Sequence, residues 1–190
     1  MNPLAFAMTG LNFVLWLNAF NLLGIGAAPA SEGAISPTKT VGAAGTLIGA
    51  ITLVLSAIWF IIGQPLGLEP PGPALNALLS VITGMYGLLW IGVFVVQVFD
   101  FDWQPIANLC LLLAINQVIG IIALFSLLGT ASTHVWIIAA VLASYVVLLI
   151  MFNRLLSGKM GARPVGWWLI VTAIGTAYLQ FFGGGIFPTP

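Results

Sequence analysis

Six stretches of this chain, at residues 4–25, 41–63, 75–99, 107–128, 135–156 and 166–187, contain no aspartate, glutamate or lysine. Each is long enough to cross a hydrocarbon core, which takes ~20 consecutive apolar residues in a helix. A backbone in lipid must satisfy its own N–H and C=O groups, so only helices or a closed barrel can span. None of the stretches shows the strict alternation of a barrel strand. The expected fold class is all-α: an integral membrane protein of six transmembrane helices, read as a single domain over residues 1–190. Composition removes the soluble alternative. Charged residues are 4% of the chain, against ~25% in an ordinary globular domain.

The same scarcity excludes several functions. Four Lys/Arg against four Asp/Glu leave no basic footprint for nucleic acid. Cys110 is the single cysteine and His134 the single histidine, so neither a disulfide framework nor a Cys- or His-ligated metal or cofactor site is expected. His134 reads as a solvated loop residue and Cys110 as a small core residue. The spans hold no carboxylate and no histidine. General acid–base chemistry and proton relays normally need such groups. The chain is therefore read as non-enzymatic, although Ser144 and Tyr145 stay open to an enzyme reading.

The basic residues set an orientation. Lys39 lies between spans one and two, and Arg154, Lys159 and Arg163 lie at the junction of spans five and six. With six spans these connections share a side, and the positive-inside rule makes that side cytoplasmic. Both termini then face out. Ala28-Pro29-Ala30 resembles a signal-peptidase site, but no basic residue precedes the first apolar run, and Asn12, Asn18 and Asn21 interrupt it. That segment is read as a retained helix. Pro37, Pro105 and Pro164 stand at the starts of spans two, four and six, a position that suits proline. Three helical hairpins around a central pore fit this pattern.

Neutral hydrogen-bonding groups line up within the spans. Thr83, Tyr86, Trp90 and Gln97 share one helical face of span three by their spacing. Span one presents Thr9, Asn12 and Trp16 on one face and Asn18 and Asn21 on another. Span four offers Asn116 and Gln117, span five Ser144 and Tyr145. In span six Thr172, Thr176 and Gln180 recur every four residues. Such groups with flat aromatic walls suit a small, planar, uncharged polar solute without trapping ions. The candidate pore-lining set is Thr83, Tyr86 and Trp90 with Asn12, Trp16, Asn116, Tyr145, Thr172 and Thr176. Each could instead be glue between helices, where such bonds average well under ~1 kcal/mol. Trp59, Trp136, Trp167 and Trp168 lie near span ends, where tryptophan forms interfacial belts. Gly45 and Gly49 form a small-xxx-small packing pair.

The most specific stretch runs through Thr83-Gly84, Gly87, Phe99-Asp100-Phe101-Asp102-Trp103-Gln104-Pro105 and Leu113-Ala114-Ile115-Asn116. It resembles the family of bacterial urea channels and short-chain amide transporters. That family carries an Asp-Trp pair in the same short loop, a proline two residues later and an Ala-Ile-Asn triplet in the next helix. The resemblance implies a passive channel for urea or small aliphatic amides in the bacterial inner membrane. It also implies a ring of protomers, a hexamer where known, each with its own pore. Tyr86 and Trp90 fall where the family places two aromatic pore-lining residues. The chain departs from the pattern in span five, where a tryptophan ladder is reduced to Trp136 and, deeper, Tyr145. In the last span Thr172 is nearest to a common glutamate. The histidine-rich outer loops of the acid-gated member have no counterpart here.

The expected partners are thus urea or a short-chain amide, membrane lipid and further copies of the chain. The competing reading is a Trp-rich membrane receptor or accessory subunit that binds an apolar ligand or a partner helix. The orientation is checked by labelling. With Cys110 replaced by alanine, a cysteine introduced at Asn2 should react with an impermeant reagent in intact cells. Reaction only after lysis would reverse the assignment.

Overall fold

The computed structural model describes residues 2–26 and 35–186. Ala28-Pro29-Ala30 and Phe187, the expected end of span six, lie outside them. Among the described residues, six helices are long and apolar enough to cross a membrane: α1 (Pro3–Leu23), α2 (Pro37–Gly63), α3 (Gly72–Phe99), α4 (Gln104–Leu128), α5 (Thr133–Leu156) and α6 (Ala162–Gly183). Their outward faces are apolar, with Ile48, Ile51, Leu55 and Ile58 exposed on α2 and Leu111, Leu112, Ile115 and Ile122 on α4. This is a multi-pass membrane protein.

Helix starts fall a few residues earlier than the apolar runs alone suggest. Proline occupies the first turn of α1, α2, α3 and α4, so helix geometry begins before the apolar run does. Side chains cap the freed N–H groups. Asn2 Oδ1 accepts from Leu4 N, Ser36 Oγ from Lys39 N, and Ser132 Oγ from His134 N. Asp102 of the Asp-Trp pair accepts from Gln104 N at 3.0 Å, at the entry to α4. α1 stops at Leu23, because Gly24 turns left-handed at φ 69°.

The six helices form a closed ring about one axis, each contacting its two sequence neighbours and α6 returning to α1. The closest pairs are α1 with α6, α2 with α3, and α4 with α5, while α3–α4 and α5–α6 meet more sparsely. The pairs joined at the end that carries the chain termini are therefore tighter than α3–α4 and α5–α6, which are joined at the other end. Lys39, Arg154, Lys159 and Arg163 gather at that other, basic end, where Lys39 pairs with Asp100. At the termini end the side-chain amide of Asn76 accepts from Leu66 N and donates to Gly67 O, fixing the α2–α3 connection.

One turn of α2, Gly42–Thr46, is π-helical. It packs on α1 and α3. Further along, Gly49 lets α1 and α2 touch backbone to backbone. A Cβ there would stand 1.9 Å from Val14 Cγ2 and 2.7 Å from Gly10 O. Gly49→Ala should therefore cost ~1–3 kcal/mol through overpacking. Gly84→Ala, whose added Cβ meets Ala57 Cβ at 3.4 Å, should be tolerated. Melting both variants in detergent checks this, and equal behaviour would contradict the close α1–α2 approach.

Candidate functional site

Two cavities enter the ring from opposite ends. The one at the termini end holds about 350 Å³. Its walls come from Leu4, Met8 and Leu11 of α1, Leu75 to Tyr86 of α3, Leu124 and Leu128 of α4, Leu142 and Tyr145 of α5, and Leu179 and Phe182 of α6. They are almost wholly apolar. The cavity at the basic end holds about 330 Å³ and is more polar, with Asn18, Asn21, Thr38, Gln97 and Trp103 among its walls. Among the described residues, no Asp, Glu, Lys or Arg lines either one.

Helix α3 serves both. Its helical period keeps Leu75, Leu79, Thr83 and Tyr86 on one ridge facing the first cavity, and Trp90, Val93 and Gln97 continue that ridge into the second. The step from Tyr86, which lines the first cavity, to Trp90, which lines the second, is one turn, ~6 Å of rise. Two aromatic pairs reach across this turn from α3 to α5 and form an aromatic barrier there. The Tyr86 and Tyr145 rings lie 5.5 Å apart, and Trp90 meets Phe152 edge-on at 6.1 Å. Such pairs are favourable by ~0.5–1.5 kcal/mol beyond the area they bury.

The polar groups beside this barrier divide into satisfied and unsatisfied. Thr176 Oγ1 donates to Thr172 O, so Tyr145 Oη donates to Thr176 Oγ1, at 2.6 Å. Thr172 Oγ1 donates in turn to Trp168 O. On the other flank Thr46 Oγ1 donates to Gln97 Oε1 and Gln97 Nε2 to Asn18 Oδ1, both at 2.8 Å. Asn18 Nδ2 closes the triangle on Thr46 Oγ1 and also reaches Val14 O. By contrast Tyr86 Oη, Trp90 Nε1 and both amide atoms of Gln117 are buried without a hydrogen-bond partner among the described residues.

The candidate residues read from the sequence divide accordingly. Thr83, Tyr86 and Tyr145 line the first cavity and Trp90 the second. Thr172 and Thr176 are fully buried and line neither; Thr176 stands behind Tyr145 and holds its hydroxyl. Asn12 and Trp16 are elsewhere, in a shallow groove on the outer side of α1, α2 and α6 that includes Thr9, Thr52 and Gln180. The ridge of α1 that meets the axis is Leu4, Met8, Leu11, Asn18 and Leu22, a different face from Asn12 and Trp16. Asn116 also points off the axis, half-buried, with its amide on Met85 Sδ at 3.7 Å.

One further expectation is revised, for His134, and two tryptophans are placed. Trp168, half-buried near the start of α6, donates Nε1–H to Ser144 O of α5 at 3.0 Å. His134 is half-buried rather than solvated: Nδ1 lies 2.5 Å from Tyr178 Oη, and its ring packs against Phe182 at the cavity edge. Trp103 of the Asp-Trp pair lines the basic-end cavity. Asn18 and Gln117 are among the neutral polar groups of spans one and four but outside the candidate pore-lining set, and Phe152 is in neither, because spacing within one helix does not say which face turns to the axis.

The architecture has a solved counterpart. The cryo-EM structure of the Helicobacter pylori urea channel in its closed state matches this chain with a TM-score of 0.72 at 17% identity, over 95% of this chain and 98% of that one. The protein therefore has the urea-channel fold. At the level of sequence, neither a family model nor a curated protein matches.

Proposed function

We propose that the protein is a passive channel for urea or a small aliphatic amide, conducting along the axis of each six-helix ring. The observation that carries this reading is the pair of uncharged cavities entering from opposite ends and meeting at one turn of aromatic and neutral hydrogen-bonding side chains. A gradient-driven solute needs a path from each side and groups that exchange hydrogen bonds with it at the narrow point. An ion would find no counter-charge there. The structural likeness to a urea channel supports the same solute class.

Within this reading Tyr86, Tyr145, Trp90 and Phe152 form the constriction, and Thr83 lines the approach. Thr176 and Thr172 position Tyr145. Asn12, Trp16 and Asn116 act in packing. The basic end faces the cytoplasm of a bacterium, by the positive-inside rule. The protomers assemble as a homo-oligomer, a hexamer by the family resemblance of the loop motif.

A second reading, an apolar-ligand receptor, is favoured by the leucine-rich walls of the termini-end cavity. It leaves the opposite cavity without a role. It also predicts no urea permeability and a melting temperature raised by an apolar ligand.

Stopped-flow measurement of purified protein in vesicles should show urea and acetamide moving down their gradients without a proton or sodium gradient. Trp90→Ala removes the indole opposite Phe152. It should raise the acetamide-to-urea permeability ratio several-fold in a protein that still assembles. If Trp90 served packing alone, its truncation would cost ~3–5 kcal/mol of stability and leave the ratio as it was. An unchanged ratio in well-folded Trp90→Ala protein would remove Trp90 from the pore.

A further inference from the structure

Helix α4 contributes Ile106 and Cys110 to the basic-end cavity and Leu124 and Leu128 to the other. These positions mark its axis-facing ridge. Gln117 lies on that ridge midway between Cys110 and Leu124, seven residues, or ~10 Å, from each. Its neighbour Asn116 is turned away by ~100°, the rotation of one residue in a helix of 3.6 residues per turn. The contact from Asn116 to Met85 sets the register of α4 on α3. In antiparallel helices one step from each partner rotates both to the same side, so Gln117 and Tyr86 turn to the axis together, offset by ~3 Å along it.

Gln117 is fully buried, and neither its Oε1 nor its Nε2 has a partner among the described residues. Tyr86 Oη and Trp90 Nε1, on the facing ridge, are unpartnered as well. Buried polar atoms are paired in the great majority of cases, and leaving one unpaired costs ~1–3 kcal/mol. Here several unpaired groups of both kinds, donor and acceptor, lie along the axis-facing ridges of α3 and α4 between the two cavities.

We propose that the carboxamide of Gln117 is the solute-selecting group of the closed middle of the pore. A primary amide and a glutamine side chain each carry one C=O acceptor beside one NH₂ donor. They can therefore pair reciprocally through two hydrogen bonds, Nε2–H to the solute oxygen and solute N–H to Oε1. Urea offers the same edge. Tyr86 Oη and Trp90 Nε1–H supply further donors toward the solute oxygen. The groups left unpaired in the closed ring are those that a passing amide satisfies, so its lost hydration is replaced where the path is narrowest. An apolar side chain of the same size offers nothing in exchange.

This inference rests on the channel reading, and the test separates the two. Wild type, Gln117→Leu and Gln117→Asn are reconstituted in phosphatidylcholine vesicles, urea permeability is read by stopped-flow light scattering, and melting temperature is read in detergent. Gln117→Leu should lower urea permeability about tenfold, the equivalent of ~1.4 kcal/mol, while its melting temperature holds or rises. Gln117→Asn, which keeps the carboxamide, should recover part of the loss. A leucine variant that conducts urea like wild type overturns the inference alone. So does a leucine variant that fails to fold, because the amide would then be holding helices together. Equal slowing in both variants would assign the effect to side-chain volume and overturn it too. A wild-type protein that passes neither urea nor acetamide overturns the channel reading, and this inference with it.

Discussion

Hydrocarbon offers a helix no hydrogen-bond partner, and the rest of this structure follows from that. The six backbones satisfy themselves as helices, and aliphatic side chains of α2 and α4 take the lipid side. Side-chain polar groups must then find partners inside the ring. Most do. The Asn18–Thr46–Gln97 triangle ties α1, α2 and α3 beside the π-helical turn. The ladder from Tyr145 through Thr176 and Thr172 to Trp168 O ties α5 to α6. Against that background, the unpaired groups of Tyr86, Trp90 and Gln117 stand out by position. On the proposed channel reading they lie along the solute's path, and they complement the donors and acceptors of an amide.

The packing of the ring is uneven. The pairs α1–α6, α2–α3 and α4–α5 are close, whereas α3–α4 and α5–α6 are sparser. Both aromatic pairs of the barrier reach from α3 to α5, so they bridge elements that are not ring neighbours. A small relative shift of the α2–α3 and α4–α5 pairs would part Tyr86 from Tyr145 and Trp90 from Phe152 without disturbing the tight contacts inside each pair. The two cavities also differ. Apolar walls line the termini end, while the basic end carries Asn18, Asn21, Thr38 and Gln97.

Much of this was legible in the sequence, and the exceptions share a cause. Six apolar stretches free of Asp, Glu and Lys specified six spans, and the Asp-Trp loop motif pointed to a fold that the structural match shows. On α3 the groups that bear chemistry recur at helical spacing, so their common face could be read before anything was known of the neighbours. On α1 two polar faces compete, and periodicity cannot say which one turns to the axis. The Asn18 face does, while Asn12 and Trp16 go to the outer groove. Asn116 and Gln117 pose the same problem within one peptide step, and only the register of α4 on α3 resolves it. Likewise, the place of Trp168 near a span end does not reveal that its indole reaches a carbonyl of the adjacent helix. Which face meets which neighbour is a tertiary property, and single-helix patterns do not encode it.

The central claim is that the two cavities are halves of one conducting path, and cysteine block tests it directly. In a Cys110→Ala background, Leu78→Cys places a thiol in the termini-end cavity and Asn21→Cys places one in the basic-end cavity. A charged methanethiosulfonate reagent, added to the side onto which each cavity opens, should abolish urea flux in both variants. Added to the opposite side it should leave each conducting, because the aromatic barrier stops it. Complete modification of either cysteine with urea flux undiminished would place the conduction path outside that cavity and contradict the account.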